Sequence, residues 1–450
     1  MKKTISLMMC IVLLLSNFVG AKMTVLAAGD TIGDATAMTF GQAYEGSITA
    51  ASGKDVYRLT LEASGCIGVR IQANIYRSSY YLYDADGKEL WNSKYNYWDE
   101  TIQQLNKEET FDLIKGTYYF CISEEYGDTG NYTIKTTYTD SKESFTEEQK
   151  GHRNDTIATA EAVTLGETYV GQIALNDDVD LYKLDLTASG RVEVQVQASI
   201  YRSSYYLYDA DGKELWYSKY NYWNDTTQQL NKNETFDLIK GAYYFCVYKE
   251  YGDTGNYTIK TTYTDSKESF TEEQKGHRND TIATAEAVTL GETYVGQIAL
   301  NDDVDLYKLE LTASACIELR VQASIYRSSY YLYDADGKEL WNSKYNYWDD
   351  ATQQLNKEEA FRLNEGIYYF CIGKEYGDTG NYQIEVEQLL LGDVDFDGKV
   401  TASDALEVLK SVVGKVTLTK TQKQVADLIE DSSVDATDAL QILKVVVGKA

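Results

Sequence analysis

The chain has 450 residues, with 42 Lys+Arg against 70 Asp+Glu for a formal net charge of −28, and with 40 Tyr, 6 Trp, two His and no Pro. Phosphate contact needs a basic surface, so this balance argues against nucleic-acid binding. Two His argue against His-rich metal chemistry, and 43% hydrophobic residues against a disordered acidic tail. At about 100–200 residues per domain, the length suggests three or four domains.

Residues 1–28 read as a secretory signal. Lys2 and Lys3 form its charged start, and Ile5 to Leu15 is an apolar run shorter than a spanning helix needs. Ala27 and Ala28 offer small residues for cleavage. Cys10 lies inside the apolar run without the small residue that should precede a lipidated cysteine, so it is expected to leave with the signal. No later stretch is apolar enough to cross a bilayer. The expectation is an exported protein with no membrane insertion.

The next 360 or so residues are one domain written three times. YRSSYYLYDADGKELW begins at Tyr76, Tyr201 and Tyr326, a period of 125 residues, and residues 125–184 are identical to residues 250–309. That period is domain-sized and too long for a solenoid unit. Within each copy short runs alternate. Arg191 to Val196 puts Val on one face and polar groups on the other, as a half-buried strand does. Asp84-Ala85-Asp86-Gly87 before Lys88-Glu89-Leu90 reads as a tight hairpin turn. Gly116 to Ile122 and Gly130 to Ile134 read as further strands. Many short strands separated by turn signals predict an all-β sandwich. A proline-free composition suits strand interiors.

Asp180-Leu181-Tyr182-Lys183-Leu184, Tyr206 to Gly212, Gly241-Ala242-Tyr243-Tyr244 and Gly255-Asn256-Tyr257 resemble the bacterial pre-peptidase C-terminal domain. That family is a β-sandwich appended to secreted enzymes. The resemblance covers roughly residues 30–140, 155–265 and 280–387. Members usually accompany a peptidase, and the chain has no peptidase segment beside them.

Cys121, Cys246 and Cys371 occupy one repeat position, and Cys66 and Cys316 another, where the second copy has Arg191. The equivalence offers two disulfides, Cys66–Cys121 and Cys316–Cys371, with Cys246 left over. The alternative is that all five are isolated small residues in strands.

After Leu391 aromatic residues nearly vanish and the pattern turns helical. Asp393, Asp395, Asp397, Lys399, Thr401 and Asp404 stand at positions 1, 3, 5, 7, 9 and 12 of a calcium-type loop, with Gly398 at the sharp turn. Ala405, Leu406, Val408, Leu409, Val412 and Val413 follow as a helical apolar stripe. Thirty-four residues on, Asp427, Asp431, Ser433, Asp435 and Asp438 repeat the loop, but Ile429 holds position 3 and Ser432 replaces the Gly. A lone run of this kind is often a solvated turn, but here the loop and its helix are duplicated.

Two such loop–helix units resemble a dockerin domain, over Gly392 to about Lys449. The resemblance implies Ca2+ as cofactor and a cohesin module of a scaffold protein as partner, within an extracellular assembly that degrades plant polysaccharide. It further implies that Ala402, Ser403, Ala436 and Thr437 recognise the partner, with Lys410 and Lys444 as further candidates. Because the halves present similar pairs, it implies that either half docks. Calcium would relieve repulsion among the clustered carboxylates in a module with little core.

Aromatic side chains are the other candidates. Leu82 falls on the core face, so Tyr81 and Tyr83 face out; Trp91, Tyr95, Tyr97 and Trp98 follow in a polar hairpin or loop, and Trp216, Tyr220, Tyr222, Trp223, Trp341, Tyr345, Tyr347 and Trp348 repeat them. Flat rings with polar edges can stack on sugars, and three copies would add avidity. The sandwiches therefore bind plant or cell-surface polysaccharide, or else act as structural spacers or protein-binding modules whose rings pack the sandwiches or the contacts between copies. No catalytic residues are assigned. His152 and His277 sit in polar connectors, and no HExxH or GxSxG occurs. The alternative is a secreted hydrolase, a glycoside hydrolase or a peptidase-associated protein, whose activity would have to reside in the repeats.

The expected fold class is mainly β: three tandem β-sandwich (jelly-roll-like) domains, 29–140, 155–265 and 280–390, joined by connectors 141–154 and 266–279. A small all-α calcium-binding domain, 391–450, follows. The expected location is extracellular, either free or held at the cell surface through a scaffold.

Overall fold

The computed structural model describes residues 24–25, 29–145, 154–177, 179–270, 279–301 and 304–449. Residues 1–23 of the expected signal, with His152 and His277, lie outside them. Packing divides the chain into two compact units. The first holds the residues up to Asp185 with Glu193–Glu234 and Ala242–Thr262; the second holds Leu186–Val192, Thr235–Gly241 and the chain from Tyr263 on.

The first unit begins with a sandwich of two five-stranded sheets. Its strands are β1 (Thr24–Val25), β2 (Thr36–Ala37), β3 (Ala43–Ile48), β4 (Lys54–Leu61), β5 (Gly65–Ala73), β6 (Arg77–Tyr83), β7 (Glu89–Tyr97), β8 (Leu105–Leu113), β9 (Gly116–Glu124) and β10 (Gly130–Asp140). One sheet has the order β1-β3-β10-β5-β8 and the other β2-β4-β9-β6-β7. Alternation dictates the core. On β5, Ile67, Val69 and Ile71 point in; on β4, Tyr57, Leu59 and Leu61 do. The Asp84 turn forms as the sequence predicts, with Asp84 Oδ1 accepting from Asp86 N (3.0 Å) and Lys88 N (2.9 Å) and Gly87 at φ +80°.

Tyrosine builds much of this core. Tyr132 donates to Asp55 Oδ2 at 2.5 Å and lies 2.6 Å from the Tyr57 hydroxyl. Burial pushes the Asp55 carboxyl above its usual range, and the Tyr132 bond opposes that shift. Tyr257–Asp180 and Tyr382–Asp305 repeat the bond at 2.6 Å. Gly46 faces this group: a Cβ there would sit 2.3 Å from the Tyr132 ring, so only glycine fits.

The second repeat has the same strand order in sheets of five and four strands. Phe145 of the connector stacks on Tyr169 and Tyr182 at 4.8 and 4.3 Å, so the connector adds a ring to the next copy's core.

In the second unit the third repeat again forms a five- and a four-stranded sheet. Three helices follow: α1 (Ala402–Val412), α2 (Lys420–Ala426) and α3 (Ala436–Val446). Mainly β sandwiches followed by a small helical domain is the fold class the sequence predicts. Among the described residues no helix is long and apolar enough to cross a membrane.

The expected disulfides Cys66–Cys121 and Cys316–Cys371 do not form; no described cysteine is bridged. The reason is the pleat. Ile67 on β5 and Phe120 on β9 point into the core, so the adjacent Cys66 and Cys121 point outward from opposite sheets. In the third copy Cys316 packs with the helical domain, while Cys371 packs with Leu306 and Tyr369. Repeat equivalence aligned these residues without saying which side of the sandwich each one faces.

Candidate calcium loops and docking helices

Both loops wrap backbone N–H groups around the carboxylate at position 1. Asp393 Oδ1 accepts from Asp397 N (3.1 Å) and Oδ2 from Gly398 N (2.8 Å). Asp427 accepts from Asp431 N (3.3 Å) and Ser432 N (3.1 Å) in the same pattern. The position-12 carboxylates are wholly buried and tie each loop to its helix. Asp404 accepts from Val394 N (2.7 Å), Asp395 N (3.1 Å) and Thr401 N (2.8 Å); Asp438 accepts from Ile429 N (3.1 Å) and Asp435 N (3.0 Å).

The loops differ where their sequences differ. Asp393, Asp395 and Asp397 bring carboxylate oxygens within 4.8 Å of one another, the only such group among the described residues. Loss of hydration inside the loop, then the charges of Asp404, Asp397 and Asp393, hold the exposed Asp395 carboxyl above its usual range. Such a donor set of hard oxygens around one point fits a calcium ion. Gly398 adopts φ +83° and Ser432, its counterpart, φ +69°. The second loop thus takes the same turn with a residue that disfavours it by about 1–2 kcal/mol.

Several predicted ligands also have other work. Thr401 caps α1 by accepting from Ser403 N at 3.1 Å, and Asp435 caps α3 by accepting from Thr437 N at 2.6 Å. The Thr437 bonds lower the Asp435 carboxyl. Ser433 Oγ donates to Asp431 at 2.6 Å, and Lys399 N to Asp397 at 2.9 Å. That leaves the Lys399 and Ser433 carbonyls as the oxygens position 7 would supply.

The helices revise one reading. The apolar stripes do not point wholly inward. Ala405 and Val408 on α1, and Ala439 and Ile442 on α3, fill the helical core with Val394, Leu418, Val425 and Ala426. Leu406, Leu409, Val412 and Val413 are exposed, and so are Leu440, Leu443, Val446 and Val447. A stripe wider than the core beneath it leaves a rim uncovered. Periodicity reports the stripe and not what covers it, which is why the sequence reading missed this face. Ala402, Ser403, Ala436 and Thr437 are exposed at the helix starts. Lys410 bonds Glu407 at 2.9 Å, and Lys444 bonds Gln441 at 3.3 Å.

On the sandwiches the aromatic candidates separate into two groups. Trp91 and Trp98 pack against the first core, Trp91 edge-on to Phe111 at 5.0 Å and Trp98 to Tyr76 at 5.6 Å. Trp341 and Trp348 do the same in the third copy. Trp223 meets Tyr201 at 5.5 Å, and the Lys232 ammonium sits over Trp216. Tyr81 and Tyr83 are half-buried and stack on each other at 6.1 Å. The open rings are the candidates Tyr95 and Tyr97, about half exposed, and Tyr126, which the sequence reading did not name, at 74%. Arg77 lies over Tyr126 and pairs with Asp128 at 2.7 Å. Tyr126 stands in a Tyr-Gly-Asp turn at φ +57°; its exposure has no periodic signal.

Comparison with known proteins locates the resemblance. Over 294 residues the chain is 25% identical to collagenase ColA of Clostridium perfringens, which covers 59% of this chain and 25% of the collagenase. The chain thus spans a quarter of that protein's length. Among solved structures it is similar to the pre-peptidase C-terminal domain of a Bacillus anthracis collagenase, at 19% identity and a TM-score of 0.20, covering 25% of this chain and 99% of that one. It is also similar to the tandem CBM22 domains of Paenibacillus barcinonensis Xyn10C, at 9% identity and a TM-score of 0.17, covering 47% of this chain and 82% of that one. The dockerin type I model matches residues 391–446, the two loops and three helices described above. Those residues are a dockerin type I domain.

Proposed function

We propose that the chain is an extracellular component of a cohesin–dockerin assembly. Its C-terminal domain folds around Ca2+ and docks to a cohesin module on a scaffold. The observation that carries the reading is the first loop, where three carboxylates converge beside the starts of helices with exposed apolar faces. Asp393, Asp395, Asp397, Thr401, Asp404 and the Lys399 carbonyl would hold one ion. Asp427, Asp431, Asp435, Asp438 and the Ser433 carbonyl would hold a second. Calcium, when bound, supplies positive charge that offsets carboxylate repulsion. The residues then present Ala402, Ser403, Leu406 and Leu409, or Ala436, Thr437, Leu440 and Leu443, with Lys410 or Lys444, as the docking face. The apolar rim contributes burial at roughly 25 cal/mol per Å2 of apolar surface.

The sandwiches are read as non-catalytic spacers or polysaccharide binders. For binding, the open tyrosines Tyr95, Tyr97 and Tyr126 and their repeats are better placed than the packed Trp. A hydrolase associated with the repeats is the competing reading, and the collagenase likeness over a quarter of that protein is what favours it.

The test is cohesin binding with and without chelator. Loss of binding in chelator and recovery with calcium is expected; unchanged binding in chelator overturns the calcium reading. Incubation with polysaccharides, casein and collagen tests catalysis, and released sugars or peptides overturn the non-catalytic reading.

A further inference from the structure

Triplication lets one position be read in three contexts. On β8, the Asp112 carboxylate accepts from Thr254 Oγ1 at 2.7 Å, and its carbonyl accepts from Leu175 N at 2.7 Å. Both donors belong to the next copy. One period on, Asp237 accepts from Thr379 Oγ1 at 2.7 Å and from Leu300 N at 2.7 Å. One further period on stands Arg362. After the third copy comes the helical domain, and Arg362 turns to it. Its Nε donates to the Gln424 carbonyl at 2.9 Å, Nη1 to Glu430 Oε1 at 2.9 Å, and Nη2 to the Asp427 carbonyl. An acceptor for the next sandwich has become a fork of donors for carbonyls at the end of α2, which lack helical partners.

The neighbours change with it. Glu109 and Glu234 pair with Lys107 and Lys232 and are 28% exposed; their counterpart Glu359 keeps the equivalent Lys357, at 3.9 Å, adds Lys420 of α2 and is 7% exposed. Thr421 Oγ1 donates to Glu318 at 3.2 Å. Cys316 and Leu389 pack into the helical core; their counterparts in the second copy are Arg191 and Thr264.

We propose that this face of the third sandwich is a built seat for the dockerin, and that Arg362 holds the second calcium loop in shape from outside it. The fork grips the loop at position 1, through the Asp427 carbonyl, and at position 4, through Glu430. The Glu430 carboxylate balances the guanidinium charge, so the effect on the loop is mainly restraint of its backbone. This loop lacks the side-chain oxygen at position 3 and the Gly at position 6. External restraint lowers the conformational entropy that calcium would otherwise have to offset. With α2 seated, the exposed rims of α1 and α3 stay available. The proposal rests on the calcium reading above.

The test compares the full chain with Arg362→Asp, the residue of the other two copies, and with Arg362→Lys and Glu430→Gln. Stepwise calcium binding is measured by calorimetry, and amide hydrogen exchange is followed over residues 424–432. Arg362→Asp is expected to weaken one calcium step about tenfold, equivalent to about 1.4 kcal/mol, leave the other within about twofold, and speed exchange over 424–432 with or without calcium. The unaltered step shows that the variant is folded. Arg362→Lys keeps the charge but not the fork and should fall between; Glu430→Gln should do least, since that carboxylate is 71% exposed. Unchanged exchange together with unchanged calcium steps overturns the proposal. If the wild-type second loop takes no calcium, exchange alone decides, in the same direction. Cohesin binding that fails while the exchange effect persists counts against the docking reading and not against the seat.

Discussion

The two halves of the dockerin domain are near copies with unequal loops. The first brings three carboxylates together around a glycine turn. The second has Ile429 in place of the carboxylate at position 3, bends through a serine at φ +69°, and is gripped by the sandwich before it. The helices after them are alike in length, cap and exposed rim. The difference suggests a division of labour: the first half closes through its own chemistry and the second through its neighbour's.

The largest blow to this comparison should come from removing calcium. Chelation should abolish cohesin binding and lower the melting temperature of the helical domain, because both loops lose the charge that balances their carboxylates. Next, Asp393→Ala with Asp397→Ala should weaken the tighter calcium step roughly 100-fold, while Asp427→Ala should weaken the other step alone. Calorimetry distinguishes the steps, and equal effects would erase the asymmetry. Smaller and opposite effects are expected at the turns. Gly398→Ser should destabilise by about 1 kcal/mol, and Ser432→Gly should stabilise by up to about 1 kcal/mol, read by calcium-loaded thermal melts.

The smallest effect concerns pH. In the folded, calcium-free protein the Asp395 carboxyl lies above its usual range. A carboxyl so raised binds its proton more tightly folded than unfolded, so folding loses stability as pH rises through the folded value. Asp395→Asn should therefore melt higher than wild type near pH 7 in chelator, and the gap should narrow on acidification. A gap that widens would mean that the Asp395 charge is stabilised, contrary to its surroundings.

Much of the architecture was legible in the sequence. The 125-residue period, the Asp84 hairpin turn and the paired loops follow from local patterns that local physics enforces. Three things were not. Alternation assigns Cys66 and Cys121 to outward faces only when both strands are placed in the sandwich, so aligning repeats suggested bridges that the pleat forbids. Trp91 and Trp98 read as open rings because a hairpin loop sounds exposed, yet each finds an aromatic neighbour brought close by the fold. Arg362 was passed over because an exchange of Asp for Arg on a polar face looks neutral until the next domain lies against it.

The unbridged cysteines have a consequence for how the chain tolerates its surroundings. Burial pushes the Cys121 and Cys371 thiols up to about 12 and Cys316 to about 11, and raises Cys246 as well. At neutral pH these four hold almost no thiolate, the species that oxidants and disulfides attack. Burial therefore shields these four thiols from oxidation and disulfide exchange, and among the described cysteines leaves the half-buried Cys66 as the more accessible one.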